Sequence, residues 1–443
     1  MMSGPEPSTR GVPGRRWTGL IGTAMHHMLA RRRGGMSDTQ HWVKGAGEVQ
    51  RRELRRLMAR ASYTELGRAH DFETLCRAPA DEMLSGFRAA IAPGDYERWR
   101  ADFARMREEG KADVLWPGVV GDWAQTSGTT GGEKYIPVSR AMMRSNRRAA
   151  FDIFVHAERM GVDLRRIFDG RLLMIGGSTD VSVNEHGIRT GDLSGLVTPM
   201  IRWPLTAVYT PGRDIALMSH WPTKIDAMAR QCLDQDIRMV SGMASWSLVL
   251  FEKVLELARE RNPSVTCLRD VWPNLELFVH GGVKYTPFQP RVTRAWSGDA
   301  GEDIPHRLEV YPASEGFIAM QDAAGEPGLR LIIDNGIFHE FIPVEEIDRP
   351  DASCFLCDEV EPGRRYVVCM TTCAGLWRYI VGDVVEFDSV PPDGPARLRI
   401  VGRHRHFVNA FGENLIVEEI EKAVAAAASE VGADIGEFTA APV

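Results

Sequence analysis

The chain has 443 residues, enough for two or three domains with substantial cores, and 44% of them are hydrophobic against 26% charged, the balance of a globular protein. Its net charge of −7 argues against nucleic acid as the main partner. No apolar run reaches the roughly 20 residues that span a bilayer, so no membrane role is expected.

Residues 1–16 read as a disordered start. "TGLIGTAMHHMLARRRGG" then fits an amphipathic helix with Leu20, Ile21, Met25 and Leu29 inward. "VQRRELRRLMARASYTELGR" is a second one: Val49, Leu54, Leu57, Met58 and Ala61 fall at helical spacing, and Arg51, Arg52, Arg55, Arg56 and Arg60 lie largely outside as a solvated face. "KADVLWPG" leads into "QTSGTTGGEKYIPVS". Short apolar runs follow, "RLLMIGG", "LELFVHGG", "RLEVYP", "LRLIIDNG", "RYVVCMTT" and "VVEFDSV". Helical stretches such as "TKIDAMARQCLDQD" and "SLVLFEKVLELARE" lie between several of them. Strands alternating with helices and stopping at polar or glycine-rich turns predict an α/β fold, with ligands bound beyond the strand ends. Near Gly402 the composition shifts, and a strand and turn lead into an alanine-rich helix.

Seven cysteines is an odd number and no export signal accompanies them, so free thiols in a reducing cytoplasm are expected. Cys354, Cys357, Cys369 and Cys373 place four sulfurs within twenty residues, a spacing compatible with zinc. However, Cys369 sits in a strand-like run, where packing is the expected role.

Three stretches carry chemistry. Ser127, Gly128, Thr129, Thr130, Gly131 and Gly132 offer unobstructed backbone N–H groups and three hydroxyls, followed by Lys134, a set suited to a di- or triphosphate. The loop is not a Walker A motif, because Glu133 stands where its second glycine belongs; a plain hairpin turn is the competing explanation. In "EVYPASEGF" a strand ending at Tyr311 leads to Ser314 and Glu315, an aromatic ring able to flank a purine and a carboxylate able to hold magnesium. In "TTCAGLWRYIVGDVVEF", Asp383 is expected in a Gly-Asp turn where it could accept ribose hydroxyls. Either of the last two, alone, is as well explained as turn chemistry. His404 and His406 read as surface or hinge residues rather than metal ligands.

The order of these motifs, completed by a Gly-Arg pair near a small C-terminal piece, resembles the adenylate-forming superfamily. Within it the chain is most similar to the Gretchen Hagen acyl acid-amido synthetases, the auxin-responsive promoter family, in its bacterial branch. The likeness runs from about Gln50 to the end, through "ASYTELGRAHDF", "TSGTTGGEKYIPVS", "WPNLELFVHGG", "YPASEG", "FHEFIPVEE", "TTCAGLWRYIVGDVVEF" and "VGRHRHFVNAFGENLIVEEIE". It implies a large N-terminal adenylation domain over residues 17–402, built from sheets flanked by helices. A hinge and the truncated start of a small α+β cap would follow over residues 403–443.

The resemblance also implies roles. Ser127, Gly128, Thr129, Thr130 and Gly131 would form the ATP phosphate loop, closed by Lys134. Gly281 and Gly282 would lie beside the adenine, with Tyr311 packed on it and Ser314 next to the magnesium-binding Glu315. Asp383 would hold the ribose, and Arg403 would stand near the hinge. Arg405 occupies the position where many members have a hinge aspartate, and the late cap lysine has no counterpart in this chain. ATP and Mg2+ are the implied cofactors, with a carboxylic acid and an amine, an amino acid, as substrates. The acid's own carboxylate is the nucleophile in such chemistry, and no G-x-S-x-G elbow is present. The acyl pocket is expected between Arg171 and Trp246. Coenzyme A as the acceptor, or a truncated binder of nucleotide without turnover, remain alternatives.

Overall fold

A computed structural model of the protein describes residues 15–127, 133–177, 181–201, 203–404, 407–410, 413–416 and 427. Residues 1–14 of the expected disordered start lie outside the described residues, Arg15 and Arg16 already belong to a helix, and the described part opens with helices from Arg15–Gly35 to Tyr96–Arg107. In the first, Ile21, Met25 and Leu29 form the inward stripe, four residues apart, with Met25 and Leu29 buried. Leu20 departs from expectation: it is 59% exposed, because one residue before Ile21 is a rotation of about 100° off the stripe. The second predicted helix is broken. Ala46–Ala61 stops, and a new short helix, Glu65–Ala69, begins after Thr64. The Thr64 hydroxyl donates to Ala61 O at 2.7 Å and accepts from Gly67 N–H at 3.0 Å, capping one helix and starting the next. Two of the arginines are not on the outside either. Arg51 and Arg55 are half-buried, and Arg55 donates to Ala78 O at 2.8 Å.

Strands then build two main sheets. β1 (Asp122–Ser127) and β2 (Glu133–Pro137) are antiparallel neighbours on either side of the hydroxyl-rich loop. β3 (Arg171–Met174) belongs to the large sheet, whereas β4 (Ser182–Val183) and β5 (Arg189–Gly191) complete the small one in the order β2-β1-β5-β4. The large sheet continues with β6 (Tyr209–Thr210), β7 (Ile237–Ser241), β8 (Leu277–Gly281) and β9 (His306–Ala313). It is completed by β10 (Gly316–Met320), β11 (Leu329–Leu331), β12 (Ile337–Pro343), β13 (Arg365–Thr372), β14 (Tyr379–Ser389) and β15 (Arg397–Arg403). Its order is β12-β13-β14-β15-β11-β10-β9-β8-β7-β3-β6. A separate hairpin, β16 (Phe407–Ala410) with β17 (Glu413–Ile416), follows. The alanine-rich stretch beyond it lies outside the described residues apart from residue 427.

The large sheet changes character at β9. From β9 through β8, β7 and β3 to β6 every pair is parallel; from β9 to β12 every pair is antiparallel. The parallel half is apolar on both faces, as a covered sheet must be. Leu173, Val240 and Phe278 pack into a core with the helices Trp221–Cys232 and Ala244–Arg261, while Leu172, Met239, Leu277 and Val279 join the main core on the opposite side. The main core also ties the N-terminal helices to the antiparallel half. Trp377 is fully buried, with its ring 4.9 Å from Phe72 and 6.3 Å from Phe87, and its indole N–H donates to Leu115 O at 3.0 Å. Replacing Trp377 by Ala would open a cavity at this junction and leave a carbonyl unpaired. We expect a loss of about 3–5 kcal/mol, read as a lowered urea midpoint at unchanged slope.

Candidate active site

The parallel strands β8 and β9 end side by side, and their ends carry two of the predicted motifs. Gly281 closes β8 opposite Val310 of β9. A Cβ on Gly281 would lie 2.2 Å from Val310 O, so glycine permits the close approach; Gly282 follows at φ +82, in the left-handed region that glycine favours. Beyond Tyr311, β9 turns into β10 through the two residues Ser314 and Glu315. Both are half-buried.

Asp383 is not in a turn. It lies inside β14, an eleven-residue strand, paired with Arg403 of β15. Gly382, at φ +95, and a register shift between Val384 and Val385 bend the strand without ending it. Asp383 Oδ2 accepts from the Tyr311 hydroxyl at 2.6 Å, and Oδ1 accepts from Arg403 Nε at 2.6 Å. β9 and β14 are four strand positions apart in the sheet, about 19 Å if it were flat at about 4.8 Å per strand. A direct contact between them means that the antiparallel half curls sharply, making a concave face at the β9 end.

The charges of this hollow act on one another. Glu315 is pushed up to about 7, chiefly by burial and also by the nearby Asp383 carboxylate, with Arg403 and Lys134 pulling the other way. Burial disfavours charge on Arg403, yet Asp383 outweighs it and holds the guanidinium above its ordinary value. Burial first, then the Asp383 charge, raises the Tyr311 phenol. Lys134 comes from the other sheet: it sits on β2, paired with Thr126.

The structure therefore gathers Lys134, Tyr311, Glu315, Asp383 and Arg403, with Ser314 in the turn and Gly281 and Gly282 at the neighbouring strand end. Gly128, Thr129, Thr130 and Gly131 lie outside the described residues, as do Gly132, Arg405 and His406; of Ser127 only the backbone in β1 is described. His404 donates its backbone N–H to Gly382 O at 2.9 Å.

Sequence reading missed two tyrosines. Tyr379 opens β14, is buried, and has its phenol raised by burial and then by the charge of Glu315, which places its hydroxyl at the hollow. Tyr96 is also buried, and its hydroxyl accepts from Tyr135 N–H on β2 at 3.2 Å. The first was visible as the leading residue of Tyr-x-x-Gly-Asp; the second had no local signal. Among the described residues no group of three or more His, Cys, Asp or Glu side chains is arranged to hold a metal ion. Of the four clustered cysteines, Cys354 lies 2.9 Å from Arg378 Nη2, and Cys357, Cys369 and Cys373 are buried. No described helix is long and apolar enough to cross a membrane.

The fold is that of adenylate-forming enzymes. The structure of an acyl acid amido synthetase, AtGH3.15 in complex with 2,4-DB, superposes with a TM-score of 0.70 at 17% identity, covering 90% of this chain and 75% of that one. A 2-hydroxyisobutyryl-CoA ligase in complex with 2-HIB-AMP superposes with a TM-score of 0.55 at 15% identity, over 85% and 72% of the two chains.

The chain belongs to the GH3 family: it matches the family's N-terminal domain over residues 36–200 and 184–300 and its central domain over residues 330–403. A putative indole-3-acetic acid-amido synthetase, GH3.10 of Oryza sativa subsp. japonica, is 24% identical over 436 residues, 84% of each chain. A probable indole-3-acetic acid-amido synthetase, GH3.1 of Arabidopsis thaliana, is 23% identical over 460 residues, 90% of this chain and 74% of the relative.

The elevated Glu315 carboxyl has a measurable consequence in the unliganded protein. Its folded value lies above the ordinary 4.5, so the neutral side chain adds stability below about pH 4.5 that is lost as pH rises to about 7. Relative to Glu315→Gln, the wild type should lose on the order of 3 kcal/mol across that window and stay level above it. Urea midpoints of both proteins at several pH values check this.

Proposed function

We propose that the chain is an ATP-dependent ligase that couples a carboxylic acid to AMP, releasing pyrophosphate, and then passes the acyl group to an amine. The amine is an amino acid, and the products are an amide and AMP. In the first step the acid's carboxylate oxygen attacks the α-phosphorus while the bond to pyrophosphate breaks. In the second the amine nitrogen attacks the acyl carbon, loses a proton and displaces AMP. The observation that carries this reading is the Asp383 carboxylate held between Tyr311 and Arg403, with Glu315 and Lys134 in the same field of charge.

A carboxylate has about four lone-pair positions, and the Tyr311 and Arg403 contacts use two. The Asp383 side chain keeps 12% of its surface exposed, so the remaining positions are open to the two hydroxyls of a ribose. Tyr311, fixed by its bond to Asp383, offers a ring to the adenine beside Gly281 and Gly282. On this reading the phosphates extend toward Lys134 and the loop from Ser127 to Gly131. The first domain is assigned to residues 17–402, with the hinge beginning at Arg403. The acyl pocket is assigned to the ends of β3 and β7, where the Trp221 and Trp246 rings lie 4.9 Å apart.

The donor set fits magnesium carried with a triphosphate. Glu315 supplies one hard carboxylate ligand, and such a cation takes most of its ligands from phosphate and water. When bound, magnesium neutralises phosphate charge. The protein's part is to align the reactants and to present fixed positive charge at the α-phosphate.

Acid-dependent exchange of pyrophosphate into ATP, run over a panel of carboxylic acids, tests the first step. Asp383→Ala and Glu315→Ala should each lower the exchange rate about 30-fold or more, the scale of one lost transition-state contact. Wild-type rates in both variants, or no exchange with any acid, would contradict the assignment. With an active acid in hand, amide formation with amino acids is expected, and thioester formation with coenzyme A in its place would redirect the second step.

A further inference from the structure

The residues assigned to the nucleotide come from two separate sheets. Tyr311 and Asp383 lie in strands of the large one and Glu315 in its β9–β10 turn, Lys134 lies on an edge strand of the small one, and among the described residues no ladder joins the two sheets. Two ties bridge them: Ser139, just after β2, donates its hydroxyl to Cys373 O at 2.5 Å, and a short connector in the N-terminal helical region, Ile91 to Tyr96, holds both sheets.

Its grip on the large sheet is at β14. Gly94 forms a parallel bridge with Tyr379, donating its N–H to Arg378 O at 3.0 Å and accepting from Ile380 N–H at 2.9 Å. Arg378 Nη1 also donates to Ile91 O at 2.7 Å. Arg378 is itself locked, since it adopts φ +46, unusual outside glycine, and its Nε donates to the buried Glu340 at 2.8 Å.

Two residues after Gly94, the connector reaches the small sheet. Tyr135 N–H turns away from β1 at the outer edge of β2, and Tyr96 Oη accepts it at 3.2 Å. Pro137, the next residue of the same outward set, has no N–H to satisfy, as suits an edge strand. The helix that Tyr96 begins then runs alongside β2. Arg107 stacks its guanidinium 3.5 Å from the Tyr135 ring centre, and Glu97 is held below the ordinary carboxylate range by Arg100 and, less strongly, by Lys134. The residue beside Tyr135 is Lys134.

We propose that the Tyr96 hydroxyl is the positioning group for Lys134: by anchoring the outer edge of β2 to a segment bonded to β14, it sets the distance between the lysine and the ribose-binding strand. This rests on the reading of Lys134 as a phosphate ligand. Loss of the hydroxyl leaves the Tyr96 ring on Phe103, at 5.6 Å, and removes the acceptor of the Tyr135 N–H. The free Tyr135 N–H would then draw β2 toward solvent, and Lys134 with it. Because Lys134 acts on phosphates alone, the effect falls on the triphosphate end of the ligand and not on the nucleoside.

Calorimetric titration of the full chain with Mg·ATP and with adenosine distinguishes this from a general structural role. Tyr96→Phe should raise the Kd for Mg·ATP about five-fold, the range of one net hydrogen bond, and leave the Kd for adenosine unchanged. Lys134→Ala should also weaken Mg·ATP, and in the double variant the Tyr96→Phe effect should vanish, because the group it positions is gone. Equal weakening of both ligands, unchanged Mg·ATP binding, or losses that add in the double variant would overturn the proposal alone. Lys134→Ala without effect on Mg·ATP would overturn the reading of Lys134 and the proposal with it.

Discussion

A carboxylate in the middle of a β-strand must find partners, and the site is shaped by how Asp383 finds them. Tyr311 approaches from β9 and Arg403 from β15, each at 2.6 Å. The first contact is possible only because the sheet between β9 and β14 is curled, and the short β11, three residues long, gives little ladder to resist the curl. The same curvature brings the turn at Ser314 and Glu315 over the strand that carries Asp383. One buried anion thus couples sheet shape to the convergence of charged groups.

That convergence is electrostatically poised. Asp383 is matched by Arg403 and a phenol, whereas Glu315 has no hydrogen-bonded cation of its own among the described residues and stands near pH 7 between protonated and charged forms. An incoming cation shifts Glu315 toward the carboxylate, and an incoming polyanion finds Lys134 and Arg403 already in place. On the proposed reading the ligand carries both, as a nucleoside triphosphate with its metal does.

Where local pattern determines structure, the sequence was legible. The apolar runs around Met174, before Gly281 and through Cys369 became β3, β8 and β13, and "SLVLFEKVLELARE" became the core of the helix Ala244–Arg261. Tyr311, Glu315 and Asp383 were singled out because their order follows the family's, and the family likeness itself agrees with the GH3 match over residues 36–300 and 330–403. Departures arose where tertiary contacts overrode pattern. A Gly-Asp pair usually signals a turn, but here the glycine supplies a bend within β14 and the aspartate stays in the ladder with Arg403. Thr64 broke what periodicity presented as one helix, since its hydroxyl serves both ends of the break. Tyr96 was invisible because its partner Tyr135 lies 39 residues away and is recognised by a backbone N–H that any residue would offer.

The account stands on one nucleotide being shared by Tyr311, Glu315 and Asp383, and a crystal structure with Mg·ATP bound is its most direct test. Both ribose hydroxyls should lie within hydrogen-bond distance of the Asp383 carboxylate, the adenine against Tyr311, and the phosphates toward Glu315 and Lys134. A nucleotide bound elsewhere on the chain, or with its ribose turned away from Asp383, would contradict it.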